Sequence, residues 1–239
     1  MGAITGNDPC GIRRFLTRAG LVGLLSAAAA PAAASSPASL LLFGSLEASP
    51  SVFVTTGAKV ALDRLDREGF VALGSLGASR RHEGLANRAT TVGALVFGYQ
   101  WFRDWGVVSA YAGPEGTAEV ATVCGCTQVL TTKVGLRLQG EVWARPSDDT
   151  LLTATLVLGT TRASAWSRLA WGYRIGGAYL GPEVALYRDG TGYEKWNFGL
   201  HATDFALGRF SLRVSAGLQA ASAGRDSGPY AGLTLWTPW

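Results

Sequence analysis

The sequence predicts an all-β fold: an antiparallel up-and-down transmembrane β-barrel of about 12 strands, preceded by an N-terminal signal peptide. Three observations carry this. Segments of alternating polarity recur to the end of the chain, the composition is too apolar for an ordinary soluble domain, and the amino terminus has the layout of an export signal. Of 239 residues, 48% are hydrophobic, only 16% are charged and 32 are glycine. No run approaches the roughly 20 apolar residues of a spanning helix. A closed barrel is the other way to satisfy every backbone group in lipid.

Residues 1–34 read as the signal. Arg13, Arg14 and Arg18 precede an apolar stretch over 19–30, and Ala32-Ala33-Ala34 offers small residues for cleavage before Ser35. The barrel is then expected over 35–239. Residues 1–34 take three arginines and one aspartate with them, so the formal net charge falls from +4 to +2. That balance, with no basic stripe, argues against a nucleic-acid partner.

Residues 133–144 define the strand pattern most clearly. Lys133, Gly135, Arg137, Gln139, Glu141 and Trp143 alternate with Val134, Leu136, Leu138, Gly140, Val142 and Ala144. Successive side chains of a strand point to opposite faces, so one face is polar and the other suits lipid. Ahead of it come strands over 40–47 and 52–62, split by Ser49-Pro50-Ser51, then 70–78, 91–101 and 107–115. The stretches 79–89 and 116–128 read as long outward loops; the second is the longest connection and holds Cys124 and Cys126. After Pro146-Ser147-Asp148-Asp149 come 151–160, 164–174, 179–188, 195–203, 209–221 and 230–239. Most have the 9–11 residues that a tilted membrane strand needs. The turns expected on the periplasmic side are tight, at 102–106, 175–178 and 205–208, whereas 189–193 and 222–228 are longer. The chain ends on Trp239, an aromatic of the kind that suits the membrane interface and the barrel assembly machinery.

A set of short motifs runs along the chain: Asp66-Arg67-Glu68-Gly69-Phe70, Gly98-Tyr99-Gln100, Glu141-Val142-Trp143 and Trp166-Ser167-Arg168. Gly172-Tyr173-Arg174 running into Tyr179-Leu180-Gly181-Pro182-Glu183, Tyr193-Glu194-Lys195-Trp196 and Gly199-Leu200-His201 complete it. Together these motifs resemble the cellulose biosynthesis protein BcsS family of alphaproteobacteria. The resemblance implies a Gram-negative outer-membrane barrel accessory to cellulose biosynthesis, secretion or surface organisation of the polymer. Its implied partners are outer-membrane lipid, cellulose or glucan, and other cellulose-synthesis components. It brings no catalytic residues and no cofactor. Gly98-Tyr99-Gln100 with Tyr111-Ala112-Gly113-Pro114-Glu115 echoes Gly172-Tyr173-Arg174 with Tyr179-Leu180-Gly181-Pro182-Glu183, placing Glu115 and Glu183 at the outer ends of strands.

The lumen is expected to hold Lys59, Glu115, Lys133, Arg137, Glu141, Arg168, Glu183, Lys195, His201, Arg209 and Arg213, with Trp143 and Trp166 on the same inward faces. Two readings stand. The polar set with its two indoles could bind a sugar polymer, or the charges could pair and fill a narrow barrel, since an unpaired charge away from water is costly. Two rivals to the accessory role are an enzyme acting on lipid or glycan, centred on His201, and a structural or adhesive surface protein. His82 with Glu83 lacks the partners a metal site requires.

Overall fold

The computed structural model describes residues 38–83, 86–123, 126–222 and 227–239. The expected signal segment and Cys124 lie outside them. Twelve strands form one closed antiparallel barrel in chain order, with no crossover. They are β1 (Leu40–Ala48), β2 (Val52–Ala61), β3 (Gly69–Glu83), β4 (Ala86–Arg103), β5 (Gly106–Val123) and β6 (Cys126–Ser147). Then come β7 (Thr150–Gly159), β8 (Ser164–Ile175), β9 (Ala178–Arg188), β10 (Glu194–Leu207), β11 (Phe210–Ala221) and β12 (Gly228–Pro238). All twelve strands of the sequence reading are present. The barrel closes where β1 pairs with β12 from Leu41↔Pro238 to Ala48↔Ala231. There the Trp239 amide donates to the Leu40 carbonyl at 2.7 Å.

Alternation sorts side chains as an inside-out barrel demands. On β6, Val134, Leu136 and Leu138 are 84%, 62% and 53% exposed, while Gln139 is buried. Outward aromatics gather toward both ends of the strands. At the end that carries the termini, Phe70 meets Tyr99 edge to face at 5.1 Å, and Trp171 meets Tyr173 at 6.4 Å. Toward the far end Trp196 stacks on Phe198 at 5.9 Å. Such girdles mark the two interfaces of membrane barrels.

Two expectations need correction. The stretches 79–89 and 116–128 are not long loops: β3 runs to Glu83, β4 starts at Ala86, β5 runs to Val123 and β6 starts at Cys126. The reason is local. Thr117, Val120, Thr122, Val123, Thr127 and Val129 are β-branched and fit a pleated surface. The Thr122 and Thr127 hydroxyls also bond across the strands at 3.1 Å, and Arg88 pairs with Glu119 at 3.6 Å. β6 pairs with β7 only from Arg137↔Gly159 onward, so the ends of β4, β5 and β6 project beyond the barrel. Consequently Glu115 and Glu183 do not sit at outer strand ends; both lie within their strands and are buried.

Inward glycines make room for inward rings. A Cβ on Gly98 would stand 2.7 Å from Tyr111 Cδ1, one on Gly77 2.9 Å from the Phe53 ring, and one on Gly172 3.0 Å from Tyr179 Cβ. At these three positions the neighbouring aromatic residue fills the space that a side chain on the glycine would take.

Candidate functional site: the filled lumen

The lumen is crossed by side chains at three levels. At the termini end, an apolar cluster of Ala61, Val71, Leu73, Val96 and Tyr111 fills the space along β2–β5, with Phe43 and Leu65 packed on it. The β2–β3 turn folds beneath this cluster. Gln100, almost wholly buried, donates from Nε2 to the carbonyls of Leu65 at 3.1 Å and Arg67 at 2.6 Å. Here also Trp143 of β6 meets Trp236 of β12 edge to face, centroids 5.9 Å apart. These strands are six apart in a ring of twelve, so the pair spans the barrel.

Midway, Arg213 on β11 is the centre of a polar network. It forms a buried ion pair with Glu183 of β9 and donates from Nη1 to Thr153 of β7 at 3.2 Å. Tyr230 of β12 donates to the other Glu183 oxygen at 2.9 Å. Nearer the far end, Lys195 reaches Glu47 of β1 at 2.7 Å, and Asn197 approaches the same oxygen at 3.4 Å. Lys59 lies 5.7 Å from the centre of the Tyr111 ring, and Arg168 5.3 Å from that of Trp166. Glu141 accepts from Gln139 at 2.7 Å. His201 is buried, with Nδ1 2.8 Å from the Thr203 hydroxyl and Nε2 3.2 Å from the Trp171 carbonyl. A carbonyl only accepts, so Nε2 carries the proton and Nδ1 accepts from Thr203.

At the far end the β7–β8 turn folds inward. Thr161 donates from its hydroxyl to Glu115 at 2.7 Å and shares a 2.9 Å hydrogen bond with Thr117. Arg162 bridges Glu119 at 2.6 Å and Asp189 at 2.9 Å. Burial pushes the Asp189 carboxyl up, but the Thr191 hydroxyl and amide, the Arg162 guanidinium and the Tyr187 hydroxyl outweigh it and hold the group below the usual carboxylate range. Gly159 leaves the space that the Glu115 carboxylate occupies: a Cβ there would stand 2.4 Å from one of its oxygens.

Of the residues singled out from sequence, Lys59, Glu115, Arg137, Glu141, Trp143, Trp166, Arg168, Glu183, Lys195, His201 and Arg213 face inward. Two do not belong to the lumen. Lys133 is exposed on the projecting part of β6, above its first pair with β7. Arg209 sits in the β10–β11 turn at the termini end, 4.2 Å from the Trp239 ring centre. Sequence reasoning passed over Gln100, Tyr111, Arg162, Asp189, Tyr230 and Trp236. Gln100 and Tyr111 were visible inside the Gly98-Tyr99-Gln100 and Tyr111-to-Glu115 motifs; the cross-lumen partners of Arg162, Tyr230 and Trp236 come from distant strands. Among the described residues no three His, Cys, Asp or Glu side chains are grouped to hold a metal ion. The side chains of His82 and Glu83 lie outside that description.

A closed twelve-strand antiparallel barrel, apolar outside and packed with polar and aromatic groups within, defines an outer-membrane-type β-barrel protein with a filled lumen. The translocator domain of the autotransporter NalP from Neisseria meningitidis is similar, with a TM-score of 0.50, 13% identity and coverage of 86% of this chain and 90% of that one. The β domain of the Bordetella autotransporter BrkA gives 0.48, 15%, 84% and 98%, and the KdgM porin 0.42, 11%, 83% and 99%. These likenesses concern the fold alone. No curated protein matches the chain in sequence. The family model described as cellulose biosynthesis protein BcsS matches residues 41–239, and the chain belongs to that family.

Proposed function

We propose that this barrel is a non-enzymatic outer-membrane accessory of cellulose biosynthesis, acting in secretion or surface organisation of the polymer and not as its conduit. The observation that carries this is the filling of the lumen at three levels, by Trp143 with Trp236, by Arg213 with Glu183, and by Thr161 with Glu115. Family membership supplies the link to cellulose. Twelve strands already make a narrow barrel beside the 16–18 of water-filled porins. His201 and the Thr203 hydroxyl that bonds to it are buried, at 4% and 0% exposure, out of reach of a lipid or glycan substrate. Residues 1–34 serve as the export signal in this reading, and the projecting β4–β6 strands face the cell exterior.

Deletion of the gene, with cellulose measured in the cells and in the medium, tests the role. A changed amount or location supports it; unchanged cellulose overturns it while leaving the barrel in place. The membrane assignment has its own check: a folded barrel migrates faster on SDS gels until boiled, and recovery from the soluble periplasm would refute it.

A further inference from the structure

The far rim of the barrel carries an outward arginine that nothing in register answers. On β3 the outward row runs Phe70, Ala72, Gly74, Leu76, Ala78 and Arg80. Phe70 belongs to the aromatic belt at the termini end. Ten residues farther on, at about 3.3 Å each, lies a point about 33 Å along the strand. A tilt of about 40° turns this into about 25 Å of height, the apolar thickness of such barrels. Arg80 therefore stands at the opposite interface, at the depth of lipid headgroups.

Its in-register neighbours are Val52 and Ala89, and it forms no ion pair among the described residues. Arg188, also outward at this rim, faces Glu194 directly across β9 and β10. Beside Arg80 the wall is indented. Pro50, Val52, Val54, Ala78 and Ser79 line with it a groove of about 540 Å³. Ala78 lies opposite Val54, and this small side chain leaves the depression open below the guanidinium.

We propose that this groove binds a membrane lipid bearing an anionic phosphate headgroup, with the phosphate on Arg80 and an acyl chain along Val52, Val54 and Ala78. A molecule that reaches the groove from within the bilayer is amphipathic, and only a negative head matches an unanswered cation at this height. A guanidinium holds phosphate through two parallel hydrogen bonds, which an ordinary snorkelling contact with water does not provide. The site depends on the membrane-spanning reading and is independent of any role in cellulose production.

Native mass spectrometry of the full chain in detergent, incubated with dimyristoylphosphatidylglycerol or with dimyristoylglycerol, tests it. The wild type is expected to retain the phosphatidylglycerol about tenfold better than the headless lipid, the effect of one charge-assisted pair. Arg80→Ala abolishes that preference, Arg80→Lys keeps part of it, and Arg188→Ala leaves it intact. Equal retention of phosphatidylglycerol by wild type and Arg80→Ala overturns the site, as does equal retention of the two lipids by the wild type. Heat-dependent gel mobility of Arg80→Ala shows that its barrel is intact; absence of that mobility in the wild type overturns the membrane reading and the site together.

Discussion

The indole rings of Trp143 and Trp236 meet edge to face at 5.9 Å from strands on opposite sides of the barrel. A contact between opposite walls is possible only in a narrow lumen, and it joins β6 to β12 without any backbone pairing. An edge-to-face aromatic pair contributes about 0.5–1.5 kcal/mol beyond its buried area. A double-mutant cycle on Trp143→Leu and Trp236→Leu, read by urea unfolding in micelles, should give a coupling energy in that range. A coupling of zero would mean that the two rings act independently.

The Arg213–Glu183 pair should behave as a buried charge pair. Both side chains are at least 95% buried, and Thr153 and Tyr230 supply further hydrogen bonds. Removing one partner of such a pair strands the other charge, at a cost of about 3–5 kcal/mol. Glu183→Ala should therefore unfold at markedly lower urea. Replacing both partners with apolar side chains of similar size, Arg213→Met with Glu183→Leu, should cost much less. If the double variant were as unstable as the single one, shape and not charge would govern this level of the lumen.

Asp189 gives a pH dependence whose sign is fixed. Its folded-state pKa lies below that of an unfolded aspartate, about 3.9. A depressed carboxylate contributes stability above the unfolded value and loses it as pH falls through the folded one. Thermal unfolding from pH 6 to pH 2 should show the wild type above Asp189→Asn at pH 6, with the gap closing below about pH 4. The first region to loosen should be the β7–β8 turn, which Arg162 ties to Asp189. A gap independent of pH would locate the stabilisation in shape and neutral hydrogen bonds.

The strand count and the direction of most side chains were legible in the sequence because period two is a local property. Several strands announce their own inner face, and Lys195, Asn197 and His201 show it as plainly as Arg137 and Glu141 do, whereas the first four are less decisive and 91–101 could face either way by its pattern. The projecting strand ends were not legible, since polar stretches such as 79–89 carry turn-like composition and strand-like propensity together. Lys133 was misplaced for the same reason: its parity is right, but parity does not say where the lumen ends. Cross-lumen partners were out of reach. That Arg213 meets Glu183, or Lys195 meets Glu47, depends on stagger accumulated over several strand pairs.

The repeated Gly–Tyr arrangement offers the sharpest test of how the lumen is packed. Gly98 lies opposite Tyr111 in register, and the buried ring occupies the place a Gly98 side chain would take. A Cβ there would also stand 2.0 Å from the Ala110 carbonyl oxygen, which is backbone and cannot swing away. Gly98→Ala should therefore destabilise the barrel by about 1–3 kcal/mol, the cost of overpacking. Gly140→Ala is the control, because its Cβ position faces outward with no heavy atom within 4 Å. Added to Gly98→Ala, Tyr111→Leu should recover part of the loss if ring contact contributes, and none if the carbonyl clash accounts for all of it. Unfolding midpoints of the four proteins in one lipid or detergent separate these outcomes, and equal midpoints for Gly98→Ala and Gly140→Ala would refute packing of the lumen as the reason for glycine at position 98.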